Sequence, residues 1–284
     1  MRRSFFAAVL TRRAVIQVLT LRAFRMARRR IPLPTDSGFP KTVSSYSAPV
    51  INPPSQRHLY ENKMHNLGLV RDRMQGLVIA PGEYFSFWKL VGLPDEAHGF
   101  REASMFMNRR VGSAIGGGIC QLSGVIYNAA LLAGAEIIER HAHSIDAYGE
   151  GRYIPLGRDA TVAYGYKDLA FRNILGIPLL LIMDVAPDRV TVVFRGSVRP
   201  FRSVEIEVEE GEFEPRPEGR IPDPAVSAPV VEAEGSDGRT TMTRRLIVDL
   251  AGVTRRELVS TDRYLATPRI VRVPAGVRRS PGEG

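Results

Sequence analysis

Cysteine is almost absent from this 284-residue chain, and Cys120 is its single example. One thiol forms no intrachain disulfide and supplies no multi-thiolate zinc site, so Cys120 is a core residue, a reactive thiol or both. Uninterrupted apolar runs of about 18 residues are missing too, which excludes a polytopic helical membrane protein. Acidic residues are missing from positions 1–30, which hold nine arginines, while the remainder carries 30 basic and 30 acidic residues. The net charge of +9 thus belongs to the N-terminal segment and not to a surface of the fold, so no nucleic acid partner is expected. What is present is the composition of a globular protein, 44% hydrophobic and 24% charged, long enough for one large or two modest domains.

Five segments follow from composition and periodicity. Residues 1–30 form a basic extension in which arginines interrupt any signal-peptide core and share no single helical face. It reads as a mobile arm or an over-extended gene start ahead of Met26, with weak contact to an anionic membrane as the second reading. Residues 31–57 are rich in Pro and Ser and read as a surface linker. Residues 58–200 form the main domain. Leu59, Met64, Leu67, Val70 and Met74 recur at helical spacing and predict an amphipathic helix ending near Gly76. Two β-rich runs around Pro81-Gly82 predict a hairpin. A glycine turn, Gly116 to Gly118, precedes a predicted helix over 119–133 with Gly134 as its cap. Extended pieces are expected at 136–145, 153–156 and 160–164, then a strand pair across Pro187-Asp188. Residues 201–276 read as a small β-rich module, and 277–284 as a disordered tail.

The chemistry concentrates around Cys120, which follows the glycine turn in the first turn of the predicted helix. The partial positive charge there favours a thiolate, and Gly124, one turn on, leaves room for a neighbouring segment to approach. His141 and His143 are two residues apart and point the same way in an extended chain, so either is a candidate general base. Asp159 opens the next predicted strand. A Cys-bearing helix followed by His- and Asp-bearing strands is the order found in papain-like enzymes of the transglutaminase kind. The expected fold is therefore α+β, with a transglutaminase- or papain-like core and the small C-terminal β module. Other uses of these residues stay open: a buried core thiol, structural histidines, or a metal site joining the histidines to Asp159 or Asp168. The glycine run lacks the Lys-Ser/Thr ending of a phosphate loop, and no cofactor or metal is expected.

The run IGGGICQLSGVIYNAALLAGAEIIERHAHS resembles the VanW family, as do LVIAPGEYFSFWKLVG before it and GRDATVAYGYKDLAFRN after it. The likeness covers about residues 57–200. Matching positions are Gly117, Gly118, Cys120, Gln121, Ser123, Tyr127, His143, Ser144 and Asp168. Because Asp159 matches less securely, the resemblance leaves Asp168 as a second candidate for the orienting acid. It implies a cell-envelope location and a link to glycopeptide resistance. The expected function is amide hydrolysis or acyl transfer on peptidoglycan or its peptide stems, with Cys120 as nucleophile, His143 as base and Gln121 helping to hold the oxyanion. The alternative is a non-catalytic module that binds a cell-wall peptide or glycan, to which Phe85, Phe87 and Trp88 would offer contact surface, although core packing is the expected use of at least two of them. The C-terminal module resembles small glycine-containing β modules that accompany this family.

Overall fold

The computed structural model describes residues 25–33, 38–52, 54–107, 110–146 and 149–275. The basic extension before residue 25 and the terminal tail from residue 276 lie outside the described residues. Strands make up 44% of the chain and helices 19%, so the molecule is mostly β rather than α+β.

Its main sheet has four antiparallel strands in the order β1 (Lys41–Pro49), β9 (Arg189–Gly196), β8 (Leu179–Val185) and β2 (Val78–Ile79). The pair β8–β9 is the one expected across Pro187-Asp188. Strand β1 lies inside the stretch read as a linker. Its small residues hide the signal, yet Val43 and Ala48 are buried and the Ser44 hydroxyl donates to Ala129 O at 2.8 Å. No hairpin forms around Pro81-Gly82. Val78–Ile79 joins the main sheet, whereas β3 (Tyr84–Ser86) pairs with β7 (Ala170–Arg172), which in turn pairs with β6 (Glu136–Glu139). Strands β4 (Glu102–Met107) and β5 (Arg110–Ile115) form a separate two-stranded ribbon.

Two long helices cover the main sheet. Helix α1 (Tyr60–Met74) buries Leu67, Val70 and Met74, as its periodicity predicts, but also Lys63 and Asn66. The Asn66 amide donates to Arg101 O at 2.8 Å and Gly117 O at 3.0 Å, tying the helix to the glycine turn. After the short helix α2 (Phe87–Val91) comes α3 (Ile119–Leu132), buried continuously from Gln121 to Leu131. A helix apolar on all sides has to lie inside, and α3 is enclosed by the sheet, the irregular segment 140–165 and the C-terminal module.

That module contains two three-stranded sheets. One has the order β10 (Phe201–Glu214), β13 (Gly238–Asp249), β14 (Thr254–Tyr264) and is antiparallel. In the other, β15 (Arg269–Pro274) runs between β11 (Glu218–Asp223), to which it is parallel, and β12 (Val230–Ala233). The first sheet contributes Phe201 and Ile247 to the same core as α3, and the buried Arg245 donates to Leu131 O at 2.9 Å and Ala135 O at 2.8 Å. These are carbonyls at the C-terminal end of α3, where a cation is favoured.

A transglutaminase- or papain-like core is not what the sequence builds. The Cys-bearing helix lies on an antiparallel sheet in which β1, from before it, pairs with β9, from after it, and the segments carrying His143 and Asp159 are not strands. Gly149, Gly151, Pro155 and Gly157 break up the chain between them, so 153–156 and 160–164 stay irregular.

Two substitutions test this packing. A Cβ on Gly117 would meet Ala103 O at 2.1 Å and Ala103 C at 2.4 Å, both backbone atoms. Gly117→Ala should therefore cost about 3 kcal/mol or more in urea unfolding. Lys63 donates to Ile51 O, and burial pulls its ammonium down to about 8 from an ordinary 10.5. Because this pKa is depressed in the fold, the unfolded chain binds the extra proton between those values, and stability rises with pH across them. Lys63→Met should be the more stable protein at neutral pH, by up to about 3 kcal/mol. Its advantage should shrink as pH rises from 8 to 10.5.

Candidate functional site

Cys120 stands in the first turn of α3, behind an N-cap glycine, Gly118, held at φ +95°. The Lys63 stem crosses this glycine so closely that a Cβ would lie 2.8 Å from its Cγ. At Gly124 the Ile154 side chain and the Ala160 backbone come in against the helix, which is the close approach its missing side chain allows. The next residues reach the sulfur: Thr161 Oγ1 and Val162 O are each 3.5 Å from Sγ.

Segments 140–143 and 159–162 run side by side without a strand ladder. Thr161 N–H donates to His141 O at 2.8 Å and Arg140 Nε to Asp159 O at 2.6 Å. Asp159 Oδ2 accepts from the His143 backbone N–H at 2.7 Å and sits 2.6 Å from His143 Nδ1. One carboxylate oxygen thus holds both the backbone and the ring of the same histidine. With Nδ1 engaged, Nε2 is the remaining ring nitrogen, and the imidazole lies near enough to the sulfur for each to shift the ionisation of the other.

The other oxygen of Asp159 is equally committed. Oδ1 accepts from Tyr264 Oη at 2.5 Å and from Arg140 at 3.1 Å, and Arg140 also reaches Asp262 at 2.5 Å. Burial opposes ionisation of Asp159, but the His143 and Arg140 contacts outweigh it and bring the carboxyl down to about 2. Burial likewise opposes charge on His143, and Asp159 with the nearby sulfur lifts its pKa to about 9. For Cys120, burial raises the thiol, yet His143 and Thr161 together pull it below the ordinary range. Both shifts run toward the charged pair of thiolate and imidazolium.

The remaining candidates lie elsewhere. His141 turns its Nε2 to Glu139 Oε1 at 3.0 Å, away from the thiol. Asp168 accepts from Ser86 Oγ at 2.6 Å, Trp88 N–H at 3.1 Å and Leu169 N–H at 2.9 Å, where it holds the start of α2. Gln121 bonds the segment that follows β1, donating to Pro49 O and accepting from Ile51 N–H at 3.3 Å, so its amide is not aimed at the sulfur. Phe85 and Phe87 are fully buried and Trp88 is nearly so, which places all three in the core and not on a contact surface. Among the described residues no group of three or more His, Cys, Asp or Glu side chains converges as a metal site. Arg140, Asp262 and Tyr264 escaped the sequence reading; Arg140 stands beside His141, but the other two lie over 100 residues beyond Asp159 and carry no motif.

Comparison with known proteins agrees with the region in which this site lies. The family model described as VanW like protein matches residues 62–195. The uncharacterized protein YoaR of Bacillus subtilis is 34% identical over 121 residues, covering 43% of this chain and 39% of that protein. The vancomycin B-type resistance protein VanW of Enterococcus faecalis is 36% identical over 114 residues, covering 40% of this chain and 42% of that protein. The matches thus span about two fifths of these relatives. Among solved structures, an IgA1 protease G5 domain is similar to 26% of this chain over 94% of its own length, with 23% identity and a TM-score of 0.17. The HP0197-G5 structure is similar to 25% of this chain over 99% of its own length, with 16% identity and a TM-score of 0.14. Residues 62–195 thus carry a VanW-like domain, similar in sequence to both relatives.

Proposed function

We propose that the VanW-like domain is a cysteine-dependent acyl-transfer site of the bacterial cell envelope, acting on amide bonds of peptidoglycan or its peptide stems. The observation that carries the reading is the 2.6 Å contact of Asp159 with His143, whose imidazole in turn lowers the pKa of the Cys120 thiol. A relative that is a vancomycin B-type resistance protein supports the choice of compartment and substrate class.

In this mechanism the Cys120 thiolate attacks the amide carbonyl carbon. The positive end of α3 favours the oxyanion that forms. The C–N bond breaks as His143 imidazolium gives its proton to the departing amine, leaving a thioester and a neutral imidazole. The imidazole then takes a proton from water, for hydrolysis, or from an incoming amine, for transfer. Attack by that nucleophile breaks the C–S bond and restores the thiolate. Asp159 keeps Nδ1 protonated throughout and stabilises the imidazolium.

Two measurements test the reading. The rate of Cys120 alkylation by iodoacetamide against pH should give an apparent pKa below the ordinary thiol value of about 8.5. His143→Gln, which removes the base and its charge, should return the thiol to that value or above it. An unperturbed thiol in the native protein would leave a binding module as the better reading. Release of amines from defined muropeptides should fall about a thousandfold or more in Cys120→Ser. Turnover that survives this change would remove the nucleophile from the mechanism.

A further inference from the structure

We infer that the C-terminal β module is a working part of the thiol site, with Tyr264 and Asp262 on β14 acting as positioning residues that set the hold of Asp159 on His143. The inference rests on the reading of Cys120 and His143 as a reactive pair. It goes beyond that reading by assigning a role in the site to a module that lies outside the matched family region.

The contacts between the module and the site are buried and specific. Tyr264 is 1% exposed, and its Oη both donates to Asp159 Oδ1 at 2.5 Å and accepts from Gly157 N–H at 2.7 Å. The same loop is fixed a second time, by Thr243 Oγ1 donating to Gly157 O at 3.0 Å. On the histidine side, Leu265 N–H donates to Ser144 O at 2.8 Å, one residue beyond His143. Asp262 reaches Arg140 at 2.5 Å, and the Arg140 side chain is only 4% exposed. A backbone bond from the module therefore fixes the chain next to His143, and its Tyr264 and Thr243 side chains fix the chain two residues before Asp159, while Tyr264 acts on the carboxylate directly and Asp262 through Arg140.

Their electrical effects on His143 are opposite. Arg140 divides its charge between Asp159 and Asp262. Without the negative charge of Asp262, Arg140 acts wholly on Asp159 and weakens that carboxylate as a partner for the imidazolium. Tyr264 donates to Asp159 and so takes up part of its negative charge; without that donor the carboxylate holds the imidazolium more strongly. The other charged groups near His143 are Cys120 on α3 and the Asp146–Arg152 pair, which lines a small hollow beside His143 with Tyr264. Neither substitution touches them. The Tyr127 ring lies 5.2 Å from the Arg140 guanidinium and is likewise left in place.

The test uses the full chain and the iodoacetamide profile, whose basic limb reports the loss of the His143 proton. Asp262→Asn, which keeps size and acceptor, should move that limb down by about half a pH unit or more, and Tyr264→Phe should move it up. A residue that served only to stabilise the fold would lower the melting temperature without producing shifts of opposite sign. Ring signals of His143 followed by NMR titration give the same two shifts independently of alkylation. If native Cys120 shows its lowered pKa but the variants shift together or not at all, the inference fails and the thiol-site reading stands. If native Cys120 titrates as an ordinary thiol, the thiol-site reading fails first. Should either variant not fold, the other still gives a signed shift that supports or overturns the assignment.

Discussion

Asp159 is a buried carboxylate, and a buried carboxylate is tolerated only when its charge and its lone pairs are answered. Here four donors answer them. His143 supplies two, its backbone N–H and its ring, to Oδ2, while Arg140 and Tyr264 supply Oδ1. Removing any one partner leaves a charge short of solvation in a place that water reaches poorly. The rest of the site follows from this demand. A carboxylate held on both edges cannot swing, so the imidazole it grips is fixed in tautomer and direction.

The same arrangement explains how irregular chain carries a precise geometry. The described residues of 140–165 have no ladder of their own, and loops of that length are normally loose. Side chains here replace the ladder. Ser123 Oγ donates to Ala160 O at 2.6 Å, and Asn128 donates to Arg158 O at 2.8 Å, pinning the Asp159 segment to α3 on both flanks. The helix is the rigid element, and the loop is laid along it by polar residues set into an otherwise apolar face. Gly124 belongs to the same device, since only a missing side chain lets Ile154 and the loop backbone lie so near.

How much of this was legible in the sequence divides along the range of the interactions. The periodicity of 60–74 and the apolar run of 119–132 gave both long helices, and the runs beside Pro187-Asp188 gave a strand pair, because those signals are local. The glycine turn, the thiol at the helix start and His143 were visible as chemistry. The expected fold was overturned because it was inferred from the order Cys, His, Asp along the chain. Order does not reveal that β1, disguised by small polar residues, pairs with β9 in the sheet behind the helix. The aromatic cluster Phe85, Phe87 and Trp88 was open to two uses, contact surface or core, with core expected for at least two of the rings. The structure spends them on the core, with Phe85 stacked on Phe171 at 4.5 Å between centroids. Asp159 and Asp168 were indistinguishable as letters. What separates them is three-dimensional: one faces an imidazole and the other a hydroxyl and two peptide N–H groups.

The C-terminal module shows why the candidate site is not bounded by the segment that matches a family model. The stretch from 62 to 195 contains Cys120, His143 and Asp159, yet one of the four donors that make the charge on Asp159 tolerable comes from Tyr264, and another, Arg140, is shared with Asp262. Arg140 makes the dependence explicit. Its side chain is almost wholly buried between two carboxylates, so neither partner is optional: without Asp262 the guanidinium is under-neutralised, and without Asp159 it faces a single acid across the module boundary. Cutting the chain after β9 would also strip the cover from α3, where Arg245 satisfies two carbonyls and Phe201 packs beside Gly134. The physical unit of the site is thus larger than the matched region. Its electrostatic balance spans two parts of the chain that sequence comparison treats separately.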